Sequence, residues 1–450
     1  MPRFHAGAAT ANITPLLGCS QAGSMTDHIG TEIHDELHVR ALVLDNGNAR
    51  IALATIDSCA VATEVLDDAK KQIAAETKIP PSHLLLSATH THSAPPGAFL
   101  FQSKPDAFYQ RWMGMRIVDC VRMAAGRLQP AKIGWGMGNE PSLLFNRRYL
   151  MKPGTIPPDP FGRTTDQAMM NPPAASKNII RPAGPIDPAV GLLAVHTLDG
   201  NPLALYGTYS LHYVGGVPRA HISADYFPLW GKHLLRLGGV TTPCMTAIAN
   251  ACSGNLNNVD VMNPPPKPPP PYRRMDEVAA ILAAESYRVW RGIEFQEWVE
   301  LSAVLDTLEL GVRLPSGSDV ATAQGILSQA GPGPYTDRSH IYALETIQLH
   351  NGYGPTVQVP MQALRIGRLG IATLPGEAFT ELGLEVKKKS PFETTFLVEL
   401  ANGYHGYIPT EEAFQVGGYE TWRAKSSYLA RDSAAKMVAR ALQHLGKIAA

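Results

Sequence analysis

Residues 39–59 read VRALVLDNGNARIALATIDSC, and this stretch decides the fold class. Its two apolar halves flank an Asn-Gly turn, which is typical of two strands joined in a hairpin. Apolar residues at helical spacing follow in TEVLDDAKKQIAAET (63–77), and HLLLSATHTHS (83–93) contains a short buried strand. Strand, helix and strand in about 45 residues predict a βαβ-like unit, whose strand ends favour ligand binding.

Composition sets the broad class of the protein. The chain has 450 residues, of which 45% are hydrophobic and 17% charged, and this predicts a globular protein with a large core. The formal net charge is zero, so neither nucleic acid nor an anionic membrane surface is an expected partner. The apolar runs are too short for a transmembrane segment. The sequence leaves the oligomeric state open.

The compartment is predicted from the N-terminus and the cysteines. The start, MPRFHAGAATANITPLLG, lacks a charged region followed by an unbroken apolar stretch, so it is not typical of a signal peptide. The five cysteines are odd in number and contain no CxxC pair, which fits reduced thiols better than a disulfide framework. We therefore expect a cytoplasmic protein.

Two Pro-rich segments interrupt the regular pattern. Residues 152–187 are rich in proline and polar residues, and residues 263–274 include the polyproline run NPPPKPPPP. Long loops of this kind form either lids and substrate-binding walls or surface insertions. No change of composition flanks them, so one domain over residues 1–450 is expected. The predicted fold is α/β, with a multi-layer mixed β-sheet core flanked by helices and long Pro-rich loop insertions.

Histidines follow two of the predicted strands. His90 and His92 close the strand of residues 83–93, and side chains two apart on a strand point to the same face. Such a pair fits a metal site, an acid/base pair or ordinary polar contacts. His212 follows another apolar strand in YGTYSLHYVGG (206–216).

Two further stretches carry candidate polar groups. In RLGIATLPGEAFTELG (368–383), Glu377 lies between a buried strand and a predicted helix, where it either faces inward or serves as a helix N-terminal charge. In ANGYHGYIPTEEAFQVGGYETW (401–422), Tyr404, His405, Tyr407 and Tyr419 lie among glycines. Aromatic rings in such a loop are usually core or surface packing.

Together these stretches resemble the N-terminal catalytic domain of the neutral/alkaline non-lysosomal ceramidases, zinc amidases that cleave N-acyl sphingosine. The resemblance runs from ANITP (11–15) to TEEAFQVGGYE (410–420). It implies one zinc ion per chain, held by His90, His212 and Glu377 with Tyr407 as the fourth ligand. Two histidines and a carboxylate are an ordinary catalytic zinc set, whereas tyrosine is uncommon because its unperturbed pKa is about 10.

The resemblance also implies roles around the metal. It places His92 against the reacting carbonyl, Tyr419 at the oxyanion and Arg147, in LFNRRYL (144–150), in the family's Asn-Arg-Ser motif. His34, in EIHDELHVRA (32–41), corresponds to a histidine on the substrate side.

The sequence leaves the role of two aspartates open. Asp57 and Asp225 are candidates for orienting the histidines, with buried hydrogen-bonding aspartates as the equal alternative.

The chain departs from the family at the proposed essential serine. In ACSGNLNNVD (251–260), Asn257 occupies that position and Ser253 lies in a different register, so we expect Asn257 to contact substrate and water to be the nucleophile. The chain also ends soon after its last predicted helix, without the family's C-terminal β-sandwich. Ceramide is a membrane lipid, whereas we expect a cytoplasmic protein without an evident lipid-facing surface. The chemistry of the family is therefore expected here more than its substrate.

Three functions follow. The leading hypothesis is a zinc-dependent hydrolase that cleaves an amide, or alternatively an ester, of a small N-acyl or O-acyl substrate with metal-activated water. The second is a metal-dependent lyase or isomerase acting on a sugar or hydroxy acid in the same zinc site. The third is an inactive binding homologue, although the retention of all four ligand residues speaks against it.

Overall fold

The structure, a computed structural model, describes residues 3–265 and 267–450. Its strands in chain order are β1 (His5–Asn12), β2 (Glu32–Ile33), β3 (His38–Asp45), β4 (Arg50–Ile56), β5 (Leu84–Ala88), β6 (Gln129–Asn139), β7 (Phe145–Asn146), β8 (Arg148–Met151), β9 (Ala168–Met170), β10 (Ile179–Pro182), β11 (Ala189–Thr197), β12 (Pro202–Tyr209), β13 (His221–Ile222), β14 (Met245–Asn250), β15 (Leu256–Asn257), β16 (Leu301–Gly311), β17 (Thr356–Ile366), β18 (Leu369–Leu374), β19 (Glu377–Ala378), β20 (Thr394–Glu399) and β21 (Tyr407–Ile408).

The helices in chain order are α1 (Thr63–Thr77), α2 (Ala107–Gly126), α3 (Tyr226–Leu237), α4 (Arg273–Arg291), α5 (Gly317–Ala330), α6 (Arg338–Gly352), α7 (Thr380–Lys389), α8 (Glu411–Val416) and α9 (Ser433–Ala449). Among these described helices, none is long and apolar enough to cross a membrane.

An eight-stranded mixed sheet forms one half of the core, in the order β14-β12-β11-β6-β1-β3-β4-β5. β3 and β4 pair antiparallel across the Asn-Gly turn, where Gly47 adopts a positive φ of 86°. β4 and β5 pair parallel, with α1 as the connection between them. The βαβ-like unit predicted from residues 39–93 is confirmed.

A second sheet, in the order β16-β17-β18-β20, packs on the large one. The buried cluster between them contains Leu53 and Tyr206 from the large sheet and Leu364 and Phe396 from the second. Full burial of each such side chain contributes about 1.5–3 kcal/mol, so this seam is a main source of stability.

Helices cover the outer faces of both sheets. The clusters that hold them there include Leu66 of α1 and Ile117 of α2 on the large sheet, and Leu382 of α7 and Met437 of α9 on the second. The predicted α/β fold, a multi-layer mixed-sheet core flanked by helices, is confirmed.

The first Pro-rich segment has structure of its own. Within residues 152–187, β9 and β10 flank β8 in a three-stranded sheet. Gln167 donates its backbone N–H to the carbonyl of Val416, which ties this segment to α8. In the second segment, Tyr272 donates its backbone N–H to Gly216, immediately before α4 begins. The organisation of residues 1–450 as one domain stays a prediction.

Candidate metal centre

Four chain segments converge at one buried place. His90 lies two residues after β5, and His212 lies three residues after β12. Glu377 and Tyr407 are paired residues of the short parallel strands β19 and β21. All four side chains are buried, with between 1% and 6% of each residue exposed. The structure therefore brings together the four residues that the resemblance implied as ligands.

His90 and His92 were expected to lie close because they share one face of a strand. That reason is wrong, although the two rings are close. β5 ends at Ala88, and His90 has a left-handed φ of 71°, so the pair does not continue a strand. The ring centroids of His90 and His92 nevertheless lie 4.6 Å apart. The left-handed backbone at His90, where the N–H donates to the Ser58 carbonyl, brings the rings together in place of strand alternation.

Backbone carbonyls orient both candidate histidine ligands. His90 Nδ1 lies 2.7 Å from the Cys59 carbonyl, and His212 Nδ1 lies 3.2 Å from the Ser253 carbonyl. A carbonyl only accepts hydrogen bonds, so both Nδ1 atoms carry a hydrogen and both Nε2 atoms are left as acceptors in the neutral rings. These two Nε2 atoms face each other at 3.0 Å. Two acceptors at that distance require a cation or a proton between them.

Glu377 completes the group. Its Oε2 lies 3.4 Å from His90 Nε2 and 3.6 Å from His212 Nε2, and it is buried without a hydrogen-bond partner in the described chain. Its Oε1 accepts a hydrogen bond of 2.8 Å from the Tyr404 hydroxyl. An unpartnered buried carboxylate oxygen beside two facing acceptor nitrogens fits a divalent metal, and this donor set fits zinc.

A second group of three side chains within the described residues, Cys59, His90 and His92, also comes close enough to hold a metal. The Cys59 Sγ lies 3.7 Å from His90 Nδ1, the nitrogen already bonded to a carbonyl. The His90–His212–Glu377 group lies on the Nε2 side of the same ring, where His212 Nε2 is 3.0 Å and Glu377 Oε2 3.4 Å from His90 Nε2. A metal bound to His90 is therefore expected at Nε2, together with His212 and Glu377, and not at Nδ1 beside Cys59.

The directions of the pKa shifts in the site agree with one positive charge between the candidate ligands. Burial opposes protonation of His90, but the charges of Cys59 and Glu377 outweigh it and raise the pKa of His90 well above its usual value. Burial, then the charges of His90 and Arg147, lower the pKa of His212 well below its usual value. Burial also opposes ionisation of Glu377, yet His90 and Arg147 lower its pKa overall. A bound divalent cation would take the place of the proton on His90.

Arg147 connects the fourth candidate ligand to the rest of the site. Its Nη2 donates to the Tyr407 hydroxyl at 3.0 Å, and its Nη1 lies 3.2 Å from His212 Nε2. Its Nε donates to Glu420 at 2.9 Å. Arg147 is buried, so these contacts fix the guanidinium beside the metal group.

His92 and Tyr419 lie next to the four residues. His92 Nε2 is 3.1 Å from His90 Nε2, and the His92 ring stacks on Tyr213 with centroids 3.6 Å apart. Burial, then the charges of His90 and Arg147, lower the pKa of His92 well below its usual value, so the ring is neutral. The Tyr419 ring meets the Tyr407 ring edge to face at 5.6 Å.

Tyr419 also lines a small apolar cavity of about 100 Å³. Its wall includes Ile156 and Met169 from the first Pro-rich segment, together with Met25 and Trp422. Part of the segment 152–187 therefore forms a wall beside the site.

Two predicted substrate-side residues have other contacts. His34 lies flat on Tyr272, with ring centroids 3.7 Å apart, and its Nδ1 bonds to Asp35 at 2.7 Å. The Asn257 side chain donates to Asn171 at 2.7 Å and accepts from the backbone of Val259. Their roles in substrate binding stay predictions.

The two aspartates orient backbone and not the histidine rings. Asp57 pairs with Arg40 at 2.8 Å and accepts the His38 backbone N–H. Asp225 accepts the backbone N–H groups of the loop after His212, at Val214 and Gly215. Of the two alternatives left by the sequence, buried hydrogen-bonding aspartates fit these contacts.

Sequence reasoning missed Glu420, which is fully buried and accepts from both Arg147 and Arg148 at 2.9 Å. The sequence contains the adjacent arginines Arg147 and Arg148 and the glutamate of GGYE, but only the fold shows that they pair. It also missed that Ser253 contributes its carbonyl to His212, while its hydroxyl donates to Glu399.

Comparison with known proteins identifies the fold. No protein-family model and no curated protein sequence matches the chain. A crystal structure of the neutral ceramidase from Pseudomonas aeruginosa is similar, with a TM-score of 0.74 and 18% identity over 100% of this chain and 75% of that one. A structure described as ceramidase complexed with C2 is similar to the same extent, with a TM-score of 0.74 and 16% identity over the same shares.

These likenesses define an α/β protein with the fold of the neutral ceramidases. The resemblance predicted from the sequence motifs is confirmed at the level of the fold, and it extends over the whole of this chain.

Proposed function

We propose that the protein is a zinc-dependent hydrolase that cleaves an amide bond, with an ester as the alternative, in a small N-acyl or O-acyl substrate. The observation that carries the proposal is the pair of facing Nε2 atoms of His90 and His212, both acceptors when the rings are neutral, beside the unpartnered Oε2 of Glu377. The shared fold with structures described as ceramidases supports amide cleavage as the chemistry.

In this proposal His90, His212, Glu377 and Tyr407 hold one zinc ion. Zinc, when bound, activates a water molecule for attack on a carbonyl group. Tyr404 orients Glu377 through its hydroxyl, and the carbonyls of Cys59 and Ser253 keep both histidines in the tautomer that presents Nε2. Such supporting contacts raise metal affinity because they hold the ligands in place before the metal binds.

Arg147 is the first candidate donor to the substrate carbonyl. Its Nη1 lies next to the lone pair of His212 Nε2. A lone pair cannot serve a hydrogen bond and a metal at once, so metal binding leaves an N–H of Arg147 without that acceptor. The Glu420 and Tyr407 contacts still hold the guanidinium in place. Arg147 can then donate to the developing oxyanion.

His92 and Tyr419 are the other candidate donors. His92 is neutral and its ring lies beside His90, so one ring nitrogen can donate to a carbonyl bound near the metal group. Tyr419 lies against Tyr407 and lines the small apolar cavity, which would receive the apolar part of a short acyl group. Donors of this kind act more strongly on the transition state than on the substrate.

Water as the nucleophile fits the contacts of the two residues in the serine region. Asn257 has no acidic proton to lose at neutral pH. The Ser253 hydroxyl is committed to the buried carboxyl of Glu399, and burial raises the pKa of that carboxyl to about 8. A covalent acyl-enzyme is therefore not expected.

Elemental analysis and a substrate panel test the proposal. The purified protein should contain one zinc per chain, and His90→Ala and His212→Ala should lose it while His350→Ala, an exposed control, keeps it. Chelation should abolish cleavage of N-acyl and O-acyl substrates, and zinc should restore it. Full activity without any metal would overturn the proposal. Zinc binding with every acyl substrate left intact would favour either the lyase or isomerase alternative or the inactive binding homologue.

A further inference from the structure

The loop that carries Tyr419 and Glu420 also lines a second cavity. This cavity has a volume of about 240 Å³ and is bordered by residues 417 and 421–423. Its wall contains four arginines and two aspartates, together with aromatic rings. We call it the arginine pocket, defined by Arg163, Arg313, Arg423, Arg431, Asp159, Asp166, Phe161, Phe414 and Trp422.

The arginine pocket has a small excess of positive charge, with four arginines against the lining aspartates Asp159 and Asp166 and the Asp319 carboxylate paired with Arg423. Among the described residues, Arg423 is the one member of the four arginines that forms an ion pair, with Asp319 at 3.0 Å. Arg313 donates instead to backbone carbonyls, including those of Thr421 and Leu429 at 2.9 Å. Carbonyl dipoles satisfy N–H groups without neutralising a charge. Burial, together with the charges of Arg423 and Arg431, lowers the pKa of Arg313 to about 9.

The two aspartates of the pocket are bound to other groups. Asp159 accepts the backbone N–H groups of Phe161 and Arg163 at 2.8 Å. Asp166 accepts the indole N–H of Trp422 at 2.7 Å. Neither forms an ion pair with an arginine in the described part of the chain. The Nε of Arg423 is buried there without an acceptor.

Aromatic rings hold the guanidinium groups by their faces. Arg163 lies over Phe161 at 5.1 Å, and Arg313 and Arg431 lie over Phe414 at 4.7 and 5.6 Å. A guanidinium stacked on a ring keeps the N–H groups at its edge available, and their planar fork matches an oxyanion. Arg313 already donates to carbonyls through Nε, Nη1 and Nη2, so the edges left available in the described chain are those of Arg163 and Arg431. Two guanidinium edges at one cavity can together bind an oxyanion by charge-assisted hydrogen bonds.

We propose that the arginine pocket binds a phosphate dianion, either inorganic phosphate or the phosphate of a small monoester. The bound anion would relieve the repulsion among the guanidiniums and fasten the segment 417–423. That segment is attached to the pocket by Arg313, through the Thr421 carbonyl, and by Asp166, through Trp422. The site is separate from the candidate metal centre, so the inference does not depend on the proposed hydrolase activity.

Calorimetry and thermal unfolding of the full chain test this inference with inorganic phosphate as the probe. Sodium chloride at equal ionic strength is the reference, because it reproduces screening without the dianion. We expect saturable phosphate binding and a rise in the unfolding temperature that sodium chloride does not produce. Glycerol 3-phosphate distinguishes the two sources: tighter binding than inorganic phosphate indicates a monoester, and equal or weaker binding indicates the free anion.

Variants separate this pocket from other phosphate sites. Arg431→Gln and Arg163→Gln, both at exposed positions, should each weaken phosphate binding about tenfold or more, the usual loss for one charge-assisted hydrogen bond. Arg368→Gln is the matched control, because Arg368 is exposed and pairs with Glu393 away from the pocket. Absence of saturable binding of both probes would overturn the inference. Binding unchanged by the two variants would also overturn it, because the anion would then lie elsewhere, for example at the metal centre.

Discussion

Tyr404 precedes β21 and Tyr419 follows α8, and the two residues contact different parts of the site. Tyr419 lies against Tyr407 and the small apolar cavity, whereas the Tyr404 hydroxyl donates to Glu377. If Tyr419 donates to the developing oxyanion, Tyr419→Phe should keep zinc and lower kcat by about 10²–10³, the usual cost of losing one such donor. Its effect on KM should be small, because the bond strengthens only as charge appears.

Tyr404→Phe removes the same hydroxyl group in a different place and serves as the comparison. It should lower zinc affinity by about 10–100-fold, the usual effect of losing a contact that orients a ligand. Titration with a chromogenic chelator measures the affinity, and steady-state kinetics at saturating zinc measures kcat. An unchanged kcat in Tyr419→Phe would move the oxyanion role to Arg147 and the metal.

Gly23 leaves room for the His92 ring. An added Cβ at Gly23 would lie 2.4 Å from His92 Cγ, closer than atoms can approach, so Gly23→Ala must displace the ring. Because His92 is proposed to contact the carbonyl and not the metal, Gly23→Ala should keep zinc and lower kcat at least about tenfold, as misplacement of a catalytic group does. Gly18→Ala is the control, since Gly18 has a similar positive φ but no atom of the described residues lies within 4 Å of the added Cβ.

An equal loss of activity in the two variants would mean that backbone strain, and not the position of His92, explains it, and full activity of Gly23→Ala would show that the position of His92 does not govern kcat. The zinc content of both is measured alongside activity. Loss of zinc in Gly23→Ala alone would instead place His92 among the metal ligands.

Motif order in the sequence identified candidate ligands that no local pattern connects. His90, His212, Glu377 and Tyr407 are brought together as the resemblance implied. Residues that act through a long-range contact could not be predicted in this way. Glu420 binds two arginines more than 270 positions away in the chain, and no local pattern indicates such a pairing.

At the scale of elements, Gly254 permits the close approach of two segments that build the metal group. Its added Cβ would lie 2.3 Å from the Glu377 carbonyl oxygen, and its N–H donates to the Ala378 carbonyl at 2.8 Å. Gly254→Ala should therefore push β19 away from the site. We expect lower zinc affinity and a loss of about 1–3 kcal/mol in the free energy of unfolding, typical of overpacking.

Gly325→Ala provides the control for Gly254→Ala, because Gly325 lies within α5 and, in the described part of the chain, nothing outside the local helix backbone lies within 4 Å of the added Cβ. It should keep zinc and gain about 0.5–1 kcal/mol of stability, since alanine favours helix over glycine. Denaturant unfolding measures both changes. Unchanged zinc affinity in Gly254→Ala would show that the position of β19 does not govern the site.

Elements with strong local patterns were predicted well, and elements held by distant contacts were not. α1 spans Thr63–Thr77, as its apolar spacing indicates, and β3 and β4 follow the Asn-Gly hairpin signal. β19 and β21 are only two residues long and form because they pair with each other. Glu377 consequently lies in a strand, three residues before α7 begins, and is not a helix N-terminal charge.

At the scale of the whole molecule, the candidate ligands come from both sheets. His90 and His212 follow strands of the eight-stranded sheet, whereas Glu377 follows β18 of the four-stranded sheet. The metal group therefore lies at the end of the seam where the two sheets pack. A metal bound there would join the sheets, so its binding energy would add to the stability of the folded chain.

A buried lysine lowers the free energy of unfolding of the whole molecule by an amount that depends on pH. Lys70, in α1, is 2% exposed, and its Nζ has no hydrogen-bond partner in the described chain. Burial disfavours the charged form and lowers the pKa of Lys70 to about 8, although Asp67 partly opposes this. Below pH 8 the folded protein holds a buried ammonium group, so Lys70→Met should raise the free energy of unfolding by about 1–3 kcal/mol at pH 7.

The sign of the pH dependence follows from the two states of Lys70. Between pH 8 and the unfolded pKa of 10.5, the unfolded chain binds more protons at this position than the folded chain. The stability of the unmodified protein should therefore rise with pH relative to Lys70→Met, and the advantage of the variant should shrink toward pH 10. Lys71→Met is the control, because Lys71 is exposed and should show little difference at either pH. Urea unfolding at pH 7 and pH 9.5 measures the change, and an advantage of Lys70→Met that is equal at both values would show that the buried charge is not its cause.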